Sequence, residues 1–359
     1  MSAPRENPPF ALPETPAVLV DLAVVRRNIA RFQAYADAHG LKVRPHIKTH
    51  KLPAIARMQL AAGAIGITCQ KVSEAEAMVA GAPDIRDVLI TYNIVGATKL
   101  ARLAALARKV NVSVVADSEA VVAGLSAAFA DAPQPLAVLV ECDTGARRCG
   151  VAGPEEAAAL ARTIAAAPGL VFGGLMTYPP VGGAAAVEAF MQEAKARIEA
   201  SGIPVPVVTS GGTPSMMHAA EAPVTTEYRP GTYVYNDRSL VERGVCGWDD
   251  CALSVLATVV SVPAPDRAVI DAGSKTLTSD LLGLTGYGHV LGRPDIAIDQ
   301  LSEEHGRLVS AGPIGLHVGD TVRIVPNHAC VVTNMVDAIY TRDGDRLERW
   351  PVTARGCIT

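Results

Sequence analysis

The sequence predicts an α/β protein, with a (β/α)8 TIM barrel followed by a smaller antiparallel β-domain. Over the larger, N-terminal part of the 359 residues, short β-branched runs alternate with longer Ala- and Leu-rich segments. The apolar residues of those longer segments recur at spacings of three and four, which is the helical pattern. Beyond about residue 245 the long helical segments stop and strand-like runs follow one another. Alternating strands and helices imply parallel pairing, whereas consecutive strands imply an antiparallel sheet.

Eight short runs are the candidate barrel strands, at 42–47, 66–70, 87–92, 111–117, 136–143, 170–178, 205–212 and 224–230. The segments between them include helical patterns at 52–63, 97–109 and 184–202. Eight such units are the number that closes a TIM barrel. A doubly wound open sheet is the alternative, but no GxGxxG follows the first strand. Residues 17–40, ahead of the barrel, predict one strand and one long helix.

The C-terminal part predicts the β-domain. Its strand candidates are 252–264, 267–273, 321–328, 331–341 and 349–356. We therefore expect a barrel domain over 14–245 and a β-domain over 246–359, which residues 1–13 could join.

Composition excludes several classes of partner. The net charge is −4 and no run of Lys and Arg provides the basic stripe of a nucleic-acid site. No apolar run approaches the ~20 residues of a membrane span, and the N-terminus lacks the apolar core of a secretory signal. The seven cysteines are scattered without CxxC spacing, as in proteins with reduced thiols. These features predict a cytoplasmic protein without nucleic-acid or membrane partners.

The active face of a TIM barrel lies at the carboxyl ends of its strands. Lys48 follows the first predicted strand, Arg148 the fifth, Tyr178 the sixth and Arg229 the eighth. Most lysines are solvated surface charges. At the end of a barrel strand, however, a lysine can have a lowered pKa and form a Schiff base with a carbonyl group.

The turn after the seventh predicted strand has the composition of an anion site. Glycines there leave backbone N–H groups free at the start of a predicted helix, although many such turns only cap a helix. Phosphate sites of TIM barrels often use the loops after strands seven and eight. The candidate phosphate ligands in these two loops are Ser210, Gly211, Gly212, Thr213, Gly231 and Thr232. A phosphate cradle opposite a Schiff-base lysine suggests pyridoxal 5′-phosphate.

Five segments resemble, in order, the D-threonine aldolase and D-serine dehydratase family. They are RPHIKTHK (44–51), DTGARRCGV (143–151), TSGGTPS (209–215), YRPGTY (228–233) and PNHAC (326–330). Members of this family are fold-type III pyridoxal phosphate enzymes, which share their barrel-plus-β-domain fold with alanine racemases. The resemblance covers nearly the whole chain.

The resemblance implies roles for individual residues. Lys48 would bond covalently to the cofactor aldehyde, Arg148 would contact the phenolic oxygen, and Arg229 would face the ring nitrogen. Glu141 stands where racemases often have a carbamylated lysine, so its carboxylate would be the negative partner of Arg148. The alternative for both arginines is salt bridging at the barrel rim. Tyr178 departs from the family pattern, in which a histidine or glycine often follows the sixth strand. It would be a general acid or base, a substrate contact, or a residue that packs against the cofactor.

His328 and Cys330 form a late His-x-Cys pair. By spacing alone they predict a buried core pair, because structural zinc sites usually have four protein ligands. The family resemblance instead implies that both bind a divalent metal and leave positions open for water or substrate. A thiolate with an imidazole favours zinc, with manganese or magnesium as alternatives. His289 and His305 are either lining residues of the substrate pocket or structural histidines.

The resemblance implies a lyase that acts on D-3-hydroxy amino acids. We expect β-elimination of water, giving a 2-oxo acid and ammonia, because Cys330 is followed by Val331-Val332-Thr333 as in D-serine dehydratase-like members. Retro-aldol cleavage to glycine and an aldehyde is the main alternative, since residues 252–273 resemble the aldolases. A racemase would need a second base, usually a tyrosine of the β-domain, for which the sequence offers no match. A non-catalytic cofactor carrier is disfavoured by the β-domain, and a homodimer is expected from the family alone.

Overall fold

The structure is a computed structural model, and it describes residues 13–359. The chain divides into two compact units. The first contains residues 13–28 together with Thr232–Gly356, and the second contains Ile29–Gly231 together with Cys357–Thr359. No helix in the described part of the chain has both the length and the apolar character needed to cross a bilayer.

The described chain begins with β1 (Ala17–Asp21) and α1 (Leu22–Ala38). The second unit then contains eight parallel strands, which are β2 (Lys42–Val43), β3 (Ile67–Cys69), β4 (Asp87–Ile90), β5 (Asn111–Ala116), β6 (Leu136–Cys142), β7 (Leu170–Thr177), β8 (Val208–Gly211) and β9 (Glu227–Arg229). The helices between them are α2 (Pro53–Ala61), α3 (Val72–Gly81), α4 (Ala97–Ala107), α5 (Glu119–Phe129), α6 (Pro154–Ala166) and α7 (Ala184–Ala200). Short 3-10 segments follow β2 and β8, at Ile47–Thr49 and Thr213–Glu221.

The eight strands form one sheet in the order β2-β9-β8-β7-β6-β5-β4-β3. Its two end strands are joined by a parallel bridge between His46 and Thr68, and the Thr68 N–H donates to the Pro45 carbonyl at 2.8 Å. The sheet is therefore closed on itself. The predicted fold class is confirmed, because the second unit is the parallel barrel and the first contains the antiparallel sheet.

Neighbouring barrel strands contribute a buried apolar layer of Leu89, Val115, Leu139 and Met176. No long helix follows β9. Instead the Phe32 ring of α1 lies 5.9 Å from the Tyr228 ring of β9, so α1 packs beside the last strand.

The first unit is built on a nine-stranded sheet. Its later elements are α8 (Arg238–Val241), β10 (Leu253–Ala264), β11 (Arg267–Ile270), α9 (Ser274–Leu277), β12 (His289–Val290), β13 (Ile296–Leu301), β14 (Gly306–Ser310), β15 (Thr321–Val325), α10 (Ala329–Met335), β16 (Ala338–Asp343) and β17 (Arg346–Pro351). The main order is β13-β14-β11-β10-β1-β16-β17, with β15 on β10 and β12 on β15. All pairs are antiparallel except β1 with β16.

The units do not follow the expected boundaries of 14–245 and 246–359. Strand β1 pairs with β10 and β16, so its residues belong to the nine-stranded sheet and not to the barrel domain. The return to the first unit comes at Thr232. Apart from Pro13, the segment 1–13 that could join the β-domain lies outside the described residues.

The strand expected over 331–341 is wrong in its first half. Residues Ala329–Met335 form helix α10, and the strand β16 begins only at Ala338. The side chain of Asp237 accepts a hydrogen bond from the N–H of Ala329 at 3.1 Å, which satisfies a donor in the first helical turn. A tertiary contact thus overrides the β-branched sequence Val331-Val332-Thr333.

Candidate active site

Lys48 lies directly beyond β2, in the short 3-10 segment Ile47–Thr49, and is half-buried. Its backbone N–H donates to His46 Nδ1 at 3.4 Å, while His46 Nε2 lies 3.0 Å from Gln70 Oε1. Burial, together with the positive charges of Lys48 and Arg229, holds the pKa of His46 well below its usual value. His46 is therefore neutral, and both cations lie within electrostatic range of its ring.

Arg229 is buried at the end of β9, the neighbour of β2 in the barrel. Its Nε donates to Thr209 Oγ1 at 2.9 Å and its Nη2 to the Thr177 carbonyl at 2.5 Å. It forms no ion pair with a carboxylate within residues 13–359, and burial lowers its pKa to about 10. The rim salt bridge considered for Arg229 is thus not formed. A buried guanidinium held by two neutral oxygens has N–H groups left for a further acceptor.

A tightly wound loop after β6 carries Arg148. The Asp143 carboxylate accepts the N–H groups of Gly145 at 2.9 Å and Arg147 at 3.0 Å, and both residues have positive φ. The Arg148 guanidinium lies over the Tyr178 ring, 4.7 Å from its centroid. Arg148 and Tyr178, predicted from two different strand ends, are therefore in contact.

Glu141 is the carboxylate nearest to Arg148, with 4.0 Å between its Oε1 and the Arg148 Nη2. That separation is too long for a hydrogen bond. Burial raises the pKa of Glu141 to about 7, although the charge of Arg148 opposes the shift. Burial thus favours the neutral form of Glu141, and the Arg148 charge favours the carboxylate that would be its partner.

The glycine-containing turn after β8 differs from its prediction in one respect. Ser210 and Gly211 end the strand, and Gly212 has φ +120°, a region that L side chains rarely adopt. The segment Thr213–Glu221 that follows is 3-10 with a kink at Ser215, and not the α-helix expected. A kinked 3-10 segment aligns fewer peptide dipoles than an α-helix, so its N-terminus attracts an anion less strongly. Hydrogen bonds from the backbone N–H groups of the turn would therefore contribute most of the binding of a phosphate.

The other predicted phosphate loop is divided between the units. The Gly231 N–H donates to Thr213 Oγ1 at 3.2 Å, which links the two loops. Thr232 falls in the first unit, where its Oγ1 lies 3.6 Å from the sulfur of Cys330.

The two predicted metal ligands, His328 and Cys330, lie side by side in the first unit. His328 Nδ1 is 3.0 Å from Asp237 Oδ2, so its Nε2 is the atom that can bond to the Cys330 sulfur. Burial opposes protonation of His328, but the charges and hydrogen bonds of Cys330 and Asp237 outweigh it and raise the pKa to about 11. The imidazole and the sulfur are therefore neighbours, and a metal ion bound by both would take the place of a proton on these ligands.

The surroundings fit a metal with open coordination positions. Across residues 13–359, no three His, Cys, Asp or Glu side chains are arranged to hold an ion, so protein ligands beyond His328 and Cys330 are not evident. The Tyr235 hydroxyl is fully buried and has no hydrogen-bond partner in that part of the chain. Burial and then the nearby Cys330 raise the pKa of Tyr235. An unsatisfied buried hydroxyl close to the sulfur is the kind of group that a metal-bound water would satisfy.

Sequence reasoning missed Asp237, since nothing in its spacing connects it with a histidine 91 residues later. The remaining two predicted histidines, His289 and His305, lie away from His328 and Cys330 in the sequence, and their contacts are simple. His289 stacks on Trp248 with 3.8 Å between ring centroids, and His305 is exposed in the turn between β13 and β14. Neither observation tests a role in a substrate pocket.

Comparison with known proteins agrees with this architecture. The family described as alanine racemase, N-terminal domain, matches residues 20–239, and the putative serine dehydratase domain matches residues 252–342. A D-threonine aldolase from Arthrobacter sp is 38% identical over 97% of this chain and 94% of that protein. The chain belongs to the D-threonine aldolase and D-serine dehydratase family. The predicted family is thus confirmed.

Two solved structures of this family superpose closely. A D-threonine aldolase from Filomicrobium marinum has a TM-score of 0.89 and 35% identity, covering 96% of this chain and 97% of that chain. A D-threo-3-hydroxyaspartate dehydratase, solved as a cysteine-to-alanine mutant in the metal-free form, has a TM-score of 0.85 and 32% identity, covering 96% and 99%. This fold-type III family implies pyridoxal phosphate as the cofactor.

Proposed function

We propose that this protein is a pyridoxal phosphate- and divalent metal-dependent lyase that removes water from D-3-hydroxy amino acids. The observation that carries the proposal is the position of Lys48 and of the buried Arg229 at the ends of adjacent strands β2 and β9, where Arg229 makes no direct ion pair with a carboxylate of residues 13–359. An amine and a buried N–H donor are what the aldehyde and the ring nitrogen of this cofactor require. The family relationship makes the substrate class a 3-hydroxy amino acid of D configuration.

The predicted cofactor ligands have separate tasks in this proposal. Arg229 remains protonated and donates to the ring nitrogen, which therefore stays unprotonated. Arg148 binds the phenolic oxygen, and the turn from Ser210 to Thr213 holds the phosphate, aided by Gly231 and Thr232. The cofactor, when bound, supplies an aldehyde for the substrate amine and a ring that withdraws electrons from Cα.

We assign to Lys48 the removal of the proton at Cα. In elimination its Nζ takes the Cα proton while the Cβ–O bond breaks, and that proton, passed from Nζ to the departing hydroxide, completes the water that is released. Tyr178, stacked on Arg148 and partly exposed, is assigned a contact to the substrate or cofactor. A divalent ion on His328 and Cys330 would act as a Lewis acid toward the β-hydroxyl.

Retro-aldol cleavage is the second candidate, and the 38% identity to a D-threonine aldolase favours it. In that reaction the β-hydroxyl loses its proton and the Cα–Cβ bond breaks. Incubation with D-threonine separates the two: 2-oxobutanoate and ammonia indicate elimination, whereas glycine and acetaldehyde indicate cleavage. Formation of neither product pair from any D-3-hydroxy amino acid would contradict both.

A Lys48→Ala variant tests the cofactor assignment. We expect it to lose the visible yellow absorption of the holoenzyme and its lyase activity, because no amine is left to bond the aldehyde. Far-UV circular dichroism should be unchanged. A yellow and active variant would contradict the assignment of Lys48.

We also propose zinc as the metal, because a thiolate and an imidazole form a ligand set that zinc favours over manganese and magnesium. Metal analysis of the purified enzyme tests this choice. The family suggests a homodimer, and all seven cysteines are free thiols, as in cytoplasmic proteins. Mass measurement in solution tests the dimer.

A further inference from the structure

Asp237 is a fully buried carboxylate of the first unit that accepts four hydrogen bonds. Its Oδ2 accepts from His328 Nδ1 at 3.0 Å and from the Ala329 N–H at 3.1 Å. Its Oδ1 accepts from Ser239 Oγ at 2.7 Å and from the Leu240 N–H at 3.2 Å. Both oxygens are thus fixed from two sides, and the carboxylate cannot turn without breaking bonds to helices α8 and α10.

The residue before Asp237 has an unusual backbone conformation. Asn236 has φ +52°, a left-handed conformation that asparagine tolerates better than most residues, and its N–H donates to the Thr232 carbonyl at 2.7 Å. Asn236 is itself buried. A strained backbone held at a buried position is characteristic of functional sites, where the surrounding contacts maintain it.

The carboxylate has a chemical consequence for the imidazole. A carboxylate only accepts hydrogen bonds, so the Nδ1 that faces it must carry a hydrogen. In the neutral ring the lone pair is then on Nε2, and only that nitrogen can bind a metal ion. Nε2 is also the nitrogen available to the Cys330 sulfur, since Nδ1 is already bonded to Asp237.

We propose that Asp237 is a positioning residue, which fixes the tautomer and ring orientation of His328 so that Nε2 and the Cys330 sulfur face one metal ion. The inference rests on the proposed metal site. A ligating histidine that donates its other N–H to a carboxylate is held in orientation and is more basic, and loss of such a partner typically weakens metal binding 10- to 100-fold.

The test is calorimetric titration of zinc into the full-length holoenzyme after removal of bound metal with a chelator. We expect Asp237→Asn to weaken zinc binding by about 10- to 100-fold. The amide has one oxygen in place of two, so it cannot accept the hydrogen bonds from helix α8 and, at the same time, those from helix α10 and His328. Asp237→Glu restores a carboxylate and should recover part of that affinity. Ser239→Ala is the matched control, since it removes a bond to Oδ1 and leaves the Oδ2–His328 bond in place.

The outcomes are distinguishable. Zinc affinity that is equal in Asp237→Asn and wild type would overturn the positioning role while the metal site stands. An equal loss in Ser239→Ala would also overturn it, because the effect would then be a general loosening of the turn. A wild-type protein that binds no zinc would instead refute the proposed metal site itself.

A second measurement needs no variant, in case Asp237→Asn does not fold. A crystal structure of the zinc-loaded wild type should show zinc on His328 Nε2, with Nδ1 still bonded to Asp237. Zinc on Nδ1, or a His328 ring turned away from Asp237, would contradict the inference.

Discussion

The pKa of the buried Glu141 carboxyl predicts how the stability of the protein depends on pH. Its carboxyl is only 3% exposed, and the nearest cation, Arg148, is 4.0 Å away. Burial raises its pKa from an ordinary 4.5 to about 7. Between these two values the folded protein keeps a proton that the unfolded chain has lost. The free energy of unfolding of the cofactor-free protein should therefore fall as the pH rises from about 4.5 to about 7, and this contribution should be constant above that range.

The size of this change in the free energy of unfolding follows from the difference between the two pKa values. Each pKa unit corresponds to 1.36 kcal/mol, so the rise from 4.5 to about 7 corresponds to about 3 kcal/mol. Glu141→Gln keeps the shape of the side chain and removes the charge. At pH 8 the variant should be more stable than wild type by up to about 3 kcal/mol, and at pH 5 the difference should shrink to about 1 kcal/mol or less.

The assay is urea unfolding of cofactor-free protein at pH 5, 6, 7 and 8, followed by far-UV circular dichroism. Other groups also titrate, among them His50, whose pKa burial lowers to about 3. The difference between variant and wild type isolates Glu141 from them. Glu199→Gln, on the exposed face of α7, is the control: losing its pair with Lys195, it should lie about 0.3–0.5 kcal/mol below the wild-type curve and parallel to it. Parallel curves for Glu141→Gln and wild type would refute the argument from burial.

Three further predictions follow from other contacts. Chelation of the metal, or Cys330→Ala, should abolish lyase activity while the visible absorption of the cofactor remains; full activity of the stripped enzyme would exclude a catalytic metal. Glu74→Gln removes the negative charge 2.8 Å from the buried Lys51 Nζ, a loss that a neutral acceptor such as the Cys357 carbonyl does not offset. The variant should cost about 3–5 kcal/mol in urea unfolding, against about 0.3–0.5 kcal/mol for exposed Glu199→Gln; equal losses would contradict this. Gly212→Ala places a side chain at φ +120° and should cost about 1–3 kcal/mol and weaken cofactor binding, measured by thermal unfolding and by cofactor titration; an unchanged melting temperature would contradict it.

The barrel was predictable because its strands are local patterns. Each β-branched run is bounded by a helical segment, and parallel strands with buried faces leave a clear signal in the sequence. Strand β1 and helix α10 were placed less well, because both depend on distant partners. β1 pairs with β10, and α10 begins where Asp237 satisfies its first N–H. Long-range contacts of this kind have no local signature.

In the candidate site, too, the residues that follow a local sequence pattern were predictable, and the features that depend on distant contacts were not. Lys48, Arg148 and Arg229 could be placed together because the carboxyl ends of barrel strands meet at one face, while their roles come from the family resemblance and stay predictions. Asp237 and the raised pKa of Glu141 could not be assigned. The first depends on a buried hydrogen-bond network, and the second on the exclusion of water around a side chain.

The central position of β1 in its sheet bears on the order of folding during synthesis. Val20 pairs with Leu253 and Leu19 with Tyr340, so both flanking strands are translated after the whole barrel. At about 5–20 residues per second, β1 waits on the order of ten seconds or more for its first partner. During that time AVLVD presents unpaired edges, which are templates for unwanted association. The topology thus keeps this short N-terminal strand unpaired in its sheet until residues more than 200 positions later have been synthesised.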